Sequence, residues 1–237
     1  MSPRIASCLF FAAAALTGSA ALAQTSNAAR SPWSVGAEVG PAWHHDGSYL
    51  PFVRNSAATP VAGLFVGRDL AHLGPRLTLG AELGWRTANA QGNVRQAFAT
   101  TLTTHGVQAA LTLRVEMLSW LTPYARVAGG ASYLDASVED GDGGTLSGGA
   151  WAPYGSAGGG VMLTSGRWFD GIGAHTLRVA VSVEGGYQYV APTAIAVSQP
   201  APADERAASD RVASQSTALG TLDPSAAYLR VTVGFRF

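Results

Sequence analysis

The last nine residues alternate without exception. Leu229, Val231, Val233, Phe235 and Phe237 are apolar, and Arg230, Thr232, Gly234 and Arg236 between them are polar or small. A period of two sends the two sets to opposite faces of a strand. One face of such a strand suits hydrocarbon and the other a polar lumen. The pattern recurs upstream. In 33–40, Trp33, Val35, Ala37 and Val39 alternate with Ser34, Gly36, Glu38 and Gly40. In 76–86, Leu77, Leu79, Ala81, Leu83 and Trp85 oppose Arg76, Thr78, Gly80, Glu82, Gly84 and Arg86. In 105–117 the apolar set is Val107, Ala109, Leu111, Leu113, Val115 and Met117, opposite Gln108, Thr112, Arg114 and Glu116. In 124–134, Val127, Ala131 and Tyr133 oppose Arg126 and Ser132. In 176–189, Leu177, Val179, Val181, Val183, Tyr187 and Tyr189 oppose Arg178, Ser182, Glu184 and Gln188. Two more strands, 61–69 and the glycine-heavy 153–164, bring the number to eight, but their residues fix no facing.

The connections predicted between these strands are 41–59, 70–75, 87–101, 119–123, 135–149, 165–174 and 192–225, alternately long and short. Transmembrane barrels show this asymmetry, with tight turns at one end and long loops at the other. An even strand number leaves both termini at the end with the tight turns. The expected fold is all-β: a transmembrane, antiparallel, up-and-down barrel of eight strands. Within the last connection, 192–225 is rich in Ala, Ser, Pro and Asp and reads as a mobile outer loop without a strand, open to trypsin at Arg206 and Arg211.

The terminal strand also carries a family signature. Thr232-Val-Gly234-Phe235-Arg-Phe237 resembles the C-terminal signal that the outer-membrane assembly machinery reads: polar, any, Gly, apolar, any, terminal aromatic. In strand number and layout the chain resembles the OmpA transmembrane domain and the small outer-membrane barrels related to it. That resemblance implies an integral outer-membrane location, contact with outer-membrane lipids and lipopolysaccharide, dependence on the assembly machinery, and an extracellular ligand held by the outer loops. The alternation implies two aromatic girdles: Trp85, Tyr133, Tyr187 and Tyr189 at the outer ends of strands, and Trp33, Phe235 and Phe237 at the inner ends, with Trp120, Trp168 and Phe169 in the inner turns.

Composition narrows the picture. Fifteen basic residues balance fifteen acidic ones, which leaves no basic surface for a nucleic acid. Residues 1–23 read as a secretory signal, with Arg4, an apolar core and the Ala21-Leu-Ala23 cleavage site; 24–237 is then the barrel domain. Cys8, the only cysteine, falls in that signal, so the mature chain has neither disulfides nor thiolate metal ligands.

An eight-stranded barrel is narrow enough for side chains to fill it. The charges on the polar faces, Glu38, Glu82, Glu116, Glu184, Arg86, Arg114, Arg126, Arg178 and Arg230, should therefore meet as ion pairs inside the lumen. Such a network points to a structural or surface-interaction role; its alternatives are a narrow channel for ions or small solutes, and a lipid A-modifying enzyme. The resemblance to outer-membrane lipid A deacylases would require a His and a Ser two residues apart on one strand face, and His105 and His175 are followed at that spacing by Val107 and Leu177. His44-His45-Asp46 lacks metal-ligand spacing. The stretch 139–144 lacks the ligand spacing of a calcium loop. The expectation is no enzyme, no cofactor and no metal.

Overall fold

The computed structural model describes residues 33–45, 52, 58–94, 98–140, 144–165, 177–198 and 216–237. Its strands are β1 (Trp33–His44), β2 (Ala58–His72), β3 (Leu77–Val94), β4 (Phe98–Val115), β5 (Leu121–Asp140), β6 (Thr145–Thr164), β7 (Arg178–Val190), β8 (Thr193–Ser198), β9 (Ser216–Leu222) and β10 (Ala226–Arg236). Strands β1 to β7 and β10 pair in sequence, all antiparallel, and β10 closes the ring against β1. The seam is tied at its inner end by two backbone hydrogen bonds between Trp33 and Phe237, of 2.9 and 3.0 Å. The signal segment and Arg206, Arg211, Trp168 and Phe169 lie outside the described residues.

Burial follows the period of two. On β10, Leu229, Val231, Val233 and Phe235 are exposed, while Tyr228, Arg230 and Gly234 are buried. The two strands whose facing the residues left open are settled here. On β2 the inward set is Thr59, Val61, Gly63, Phe65, Gly67 and Asp69. Two of these are apolar, and this blurred the alternation. On β6 the inward set includes Ala152, Tyr154, Gly158, Gly160 and Thr164, and the outward set Trp151, Val161 and Leu163.

The stretches expected as polar loops, 87–101 and 135–149, are largely strand. β3 runs for 18 residues and β5 and β6 for 20 each, well beyond the roughly 9–11 that cross a bilayer. The physical reason is an inversion of polarity along each strand. Outward positions of β3 are apolar from Leu77 to Trp85 and then become Thr87, Asn89, Gln91 and Asn93. Its inward positions change from Thr78, Glu82 and Arg86 to Ala88 and Ala90. β5 does the same: Val127 and Tyr133 give way outside to Asp135 and Glu139, while Arg126 and Ser132 give way inside to Leu134 and Ala136. Where lipid ends and water begins, the apolar face moves to the inside.

The expected mobile loop is corrected in the same way. Two of its parts form a hairpin, β8 with β9, and β8 joins the upper part of β6 through Ser147 and Ser198. Ile195, Val197 and Leu222 are buried in a core with Leu102, Leu134, Ala136, Ala152, Val190 and Phe52. The remaining residues of that segment, 199–215, lie outside the described residues. The hairpin register shifts between Ile195 and Ala196, opposite Gly220, whose φ of 92° is a conformation that glycine adopts without steric cost.

Candidate functional site

The lumen holds two ion clusters. In the first, Glu38 lies between two guanidiniums: Arg86 Nε is 2.9 Å from its Oε1 and Arg230 Nη1 donates to its Oε2 at 2.8 Å. Arg230 also donates to Glu184, whose Oε1 accepts from Tyr228 Oη at 2.7 Å. Arg86 donates to Tyr154 and lies 5.9 Å from the Tyr228 ring centre. In the second cluster, Arg126 Nε donates to Glu82 Oε2 at 3.0 Å, and Arg114 is 3.8 Å from the other Glu82 oxygen. Arg114 also donates to Asp69, which accepts from Arg236 Nη2 at 2.6 Å. All these groups are buried or nearly so, where a charge without a partner is very costly.

Strand register brings them together. Glu38, Gly63 and Arg86 lie on one rung across β1, β2 and β3. A β-carbon on Gly63 would come within 3.1 Å of Cγ of both flanking charges. The missing side chain is the space through which Glu38 and Arg86 meet. Replacing Gly63 with Leu should therefore destabilise the barrel by roughly 1–3 kcal/mol through overpacking. Urea unfolding in detergent measures it, and the outward Gly155→Ala change, whose β-carbon has no neighbour nearer than 3.8 Å, should differ little from the parent.

Of the expected charges, Glu38, Glu82, Glu184, Arg86, Arg114, Arg126 and Arg230 lie in these clusters. Glu116 does not. β4 ends at Val115, and Glu116 sits exposed in the following turn, where its backbone N–H bonds to Arg76. Arg178 opens β7 half-buried opposite Arg236 and takes no part in either cluster. Asp69 and Arg236 were missed as partners. Arg236 stood in plain view on the polar face of the last strand. Asp69 was hidden because apolar Val61 and Phe65 share its inward face on β2.

A cavity of about 70 Å³ is lined by members of both clusters, among them Glu38, Glu184, Glu82 and Arg126. Another of about 50 Å³ lies outward of it, lined in part by Gln108, Ser132, Gln188 and Arg86. Each has room for a few waters. Gln108 Oε1 and Arg126 Nη1 are buried without a hydrogen-bond partner among the described residues, and water can serve both. Above the outer cavity, the apolar core around Leu102, Leu134, Ile195 and Val197 fills the mouth. His44 is turned inward and buried at the end of β1, and no cluster of three or more metal-ligating side chains occurs among the described residues.

The aromatic positions lie at both ends of the apolar band. Trp33, Phe235 and Phe237 are exposed at the inner end, and Trp85, Tyr187 and Tyr189 at the outer end. Tyr133 is half-buried there, packed 5.3 Å from the Trp151 ring. Thr232 and Gly234 line the lumen face of β10.

The family model described as OmpA-like transmembrane domain matches residues 28–192. Among solved structures, a major outer membrane protein from Thermus thermophilus aligns at TM-score 0.53 and 12% identity, over 87% of this chain and 99% of that one. Ail, the attachment invasion locus protein of Yersinia pestis, in complex with the heparin analogue sucrose octasulfate, aligns at TM-score 0.42 and 12% identity, over 87% and 97%. Neisserial surface protein A aligns at 0.41 and 12%, over 86% and 95%. No curated protein matches.

Proposed function

Because the chain belongs to the family of OmpA-like transmembrane domains, and is an integral outer-membrane protein, we propose that it is a closed structural barrel whose activity resides at its outer surface. One observation carries this reading: the lumen is closed twice. Ion pairs cross it at mid-depth, and an apolar core fills the mouth above them. A solute path would need both to open. The long strands continue beyond the bilayer as a packed sheet that presents Thr, Asn, Gln, Asp and Glu to water, a rigid support for contact with an extracellular ligand. Its lipid partners are outer-membrane lipids and lipopolysaccharide. The side chains of Phe235 and Phe237 at the seam are the feature that the assembly machinery would engage. The reading is non-enzymatic.

A narrow channel is the second reading, favoured by the two cavities that the first ion cluster borders, Arg86 lining one and Glu38, Glu184 and Arg230 the other. Conductance of the purified protein in a planar bilayer decides between them. The expected record is flat for the parent protein. Steady stepwise openings in the parent would sink the closed-barrel reading and establish the channel.

A further inference from the structure

The lumen charges do not cancel, a feature that the surface role proposed above leaves unused. The first cluster is neutral, with Arg86 and Arg230 against Glu38 and Glu184. The second is not. Among the described residues, Arg114, Arg126 and Arg236 share Asp69 and Glu82. The order is Arg126–Glu82–Arg114–Asp69–Arg236, a chain with a guanidinium at both ends. Arginine keeps its proton at any ordinary pH, so titration cannot discharge the excess. At the rim, half-buried Arg178 lies across from Arg236, and exposed Glu116 lies near it. Those two charges offset each other and are screened by water. Deeper in the lumen, one positive charge is left over, which is costly away from solvent.

The 70 Å³ cavity lies against this excess, for Arg114, Arg126 and Arg236 all line it. Arg126 is only 5% exposed. Its Nε holds Glu82, but its Nη1 has no hydrogen-bond partner among the described residues. Two hydroxyls on the cavity wall have hydrogens to give. Thr112 Oγ1 accepts from Arg114 at 3.3 Å, and Ser182 Oγ accepts from Tyr124 Oη at 3.3 Å, so each keeps its own O–H as a donor. The carboxylates on the same wall are engaged: Glu38 by Arg86 and Arg230, Glu184 by Arg230 and Tyr228, and Glu82 by Arg114 and Arg126. Phe65, Met162 and Ala180 give the cavity an apolar flank. Its lining reaches Ser34 and Arg236 at the inner ends of β1 and β10, where the Arg236 side chain is 18% exposed, so solvent meets the site from that end.

We propose that this cavity is a binding site for one monatomic, singly charged anion of the chloride type, entering from the inner end of the barrel. A single charge matches the excess of one, whereas a sulfate or phosphate would overshoot it. The volume holds a halide with a water or two. The free Arg126 Nη1 and the Thr112 and Ser182 hydroxyls supply the donors, and the apolar flank suits a weakly hydrated ion. The bound ion completes the charge balance of the second cluster.

The test uses the full mature protein folded in detergent, with unheated gel migration to certify the barrel. Urea unfolding is followed at constant ionic strength while sodium gluconate is replaced by sodium chloride or bromide. A ligand of the folded state alone raises stability with the logarithm of its concentration above Kd, so the midpoint should climb at low halide and then flatten. A general salt effect rises without that curvature. Ser182→Ala removes a donor and should raise the halide concentration needed for a given midpoint shift by about tenfold or more. Met162→Glu puts a carboxylate into the cavity at similar volume, and Arg126→Leu removes the excess charge; each should abolish the halide response. Should these variants fail to assemble, crystals of the parent soaked in sodium bromide decide, with an anomalous peak expected in the cavity beside Arg126 and Ser182. Equal midpoints in gluconate and halide, a response without curvature, a full response in Met162→Glu or Arg126→Leu, or bromide as an adventitious ion only, on the outer surface, would overturn the proposal.

Discussion

Replacing Glu38 with Ala should cost the barrel roughly 3–5 kcal/mol, the loss expected when a buried charge pair is broken from one side. Glu38 is the sole carboxylate within ion-pair distance of Arg86 among the described residues and one of two that hold Arg230. Its removal leaves a guanidinium with only the Tyr154 hydroxyl and nearby ring faces, deep in a narrow lumen. Urea unfolding of the reconstituted protein reads the loss directly. Glu116→Ala supplies the contrast. Its side chain is exposed in a turn, so its effect should stay within about 0.5 kcal/mol, the range for surface sites. A Glu38→Ala barrel as stable as the parent would mean that water solvates Arg86, and the mid-lumen closure would be lost as an argument.

The other large effect is expected at Val197. It is fully buried among Leu134, Ala136 and Ile195 in the outer core. A carboxylate there has no partner among those neighbours, so Val197→Asp places a charge in an apolar setting at a cost of several kcal/mol. The damage should stay local. Strands within the bilayer are held by their ladders and by lipid, whereas the β8–β9 hairpin, among the described residues, is held by β6 and this core. Hydrogen exchange should therefore accelerate across 193–198 and 216–222, while β1 and β10 keep their protection and the protein still migrates as a folded barrel when unheated. Unchanged protection in the hairpin would show that the outer core does not anchor it.

What could be read from the sequence follows from which solvents a strand meets. Residues 229–237 and 76–86 have lipid on one face and a charged lumen on the other, so their side chains alternate cleanly. The predicted strands there coincide with β10 and the first half of β3. From Thr87 onward the two faces exchange character, and a search for a continuous apolar stripe ends at that point although the strand continues. Ile195, Val197 and Leu222 were too few to signal a hairpin. They matter because other strands bring Leu102 and Leu134 to meet them, and single-segment patterns carry no such information. Asp69 was lost for a related reason. Phe65 points inward and Arg68 outward, against the rule that held elsewhere. Arg68 is accommodated by lying 5.4 Å over the Trp33 ring. Glu116 shows the reverse error, an alternation carried past the end of its strand into a turn.

The exchange of faces at Trp85 and Tyr133 also sets the barrel's depth. A transmembrane strand that is apolar outside along its whole length could slide along the membrane normal at little cost. Here a slide of two residues, about 7 Å along the strand at the usual rise per residue, would pull Asn89, Thr103 and Asp135 into hydrocarbon or lift Leu83 and Val107 into water. A slip of one residue in pairing is worse, because it turns Arg86 and Arg126 to the lipid and Leu134 to the charged lumen. The chain thus carries its own waterline, written on every long strand, and the barrel can float at only one height.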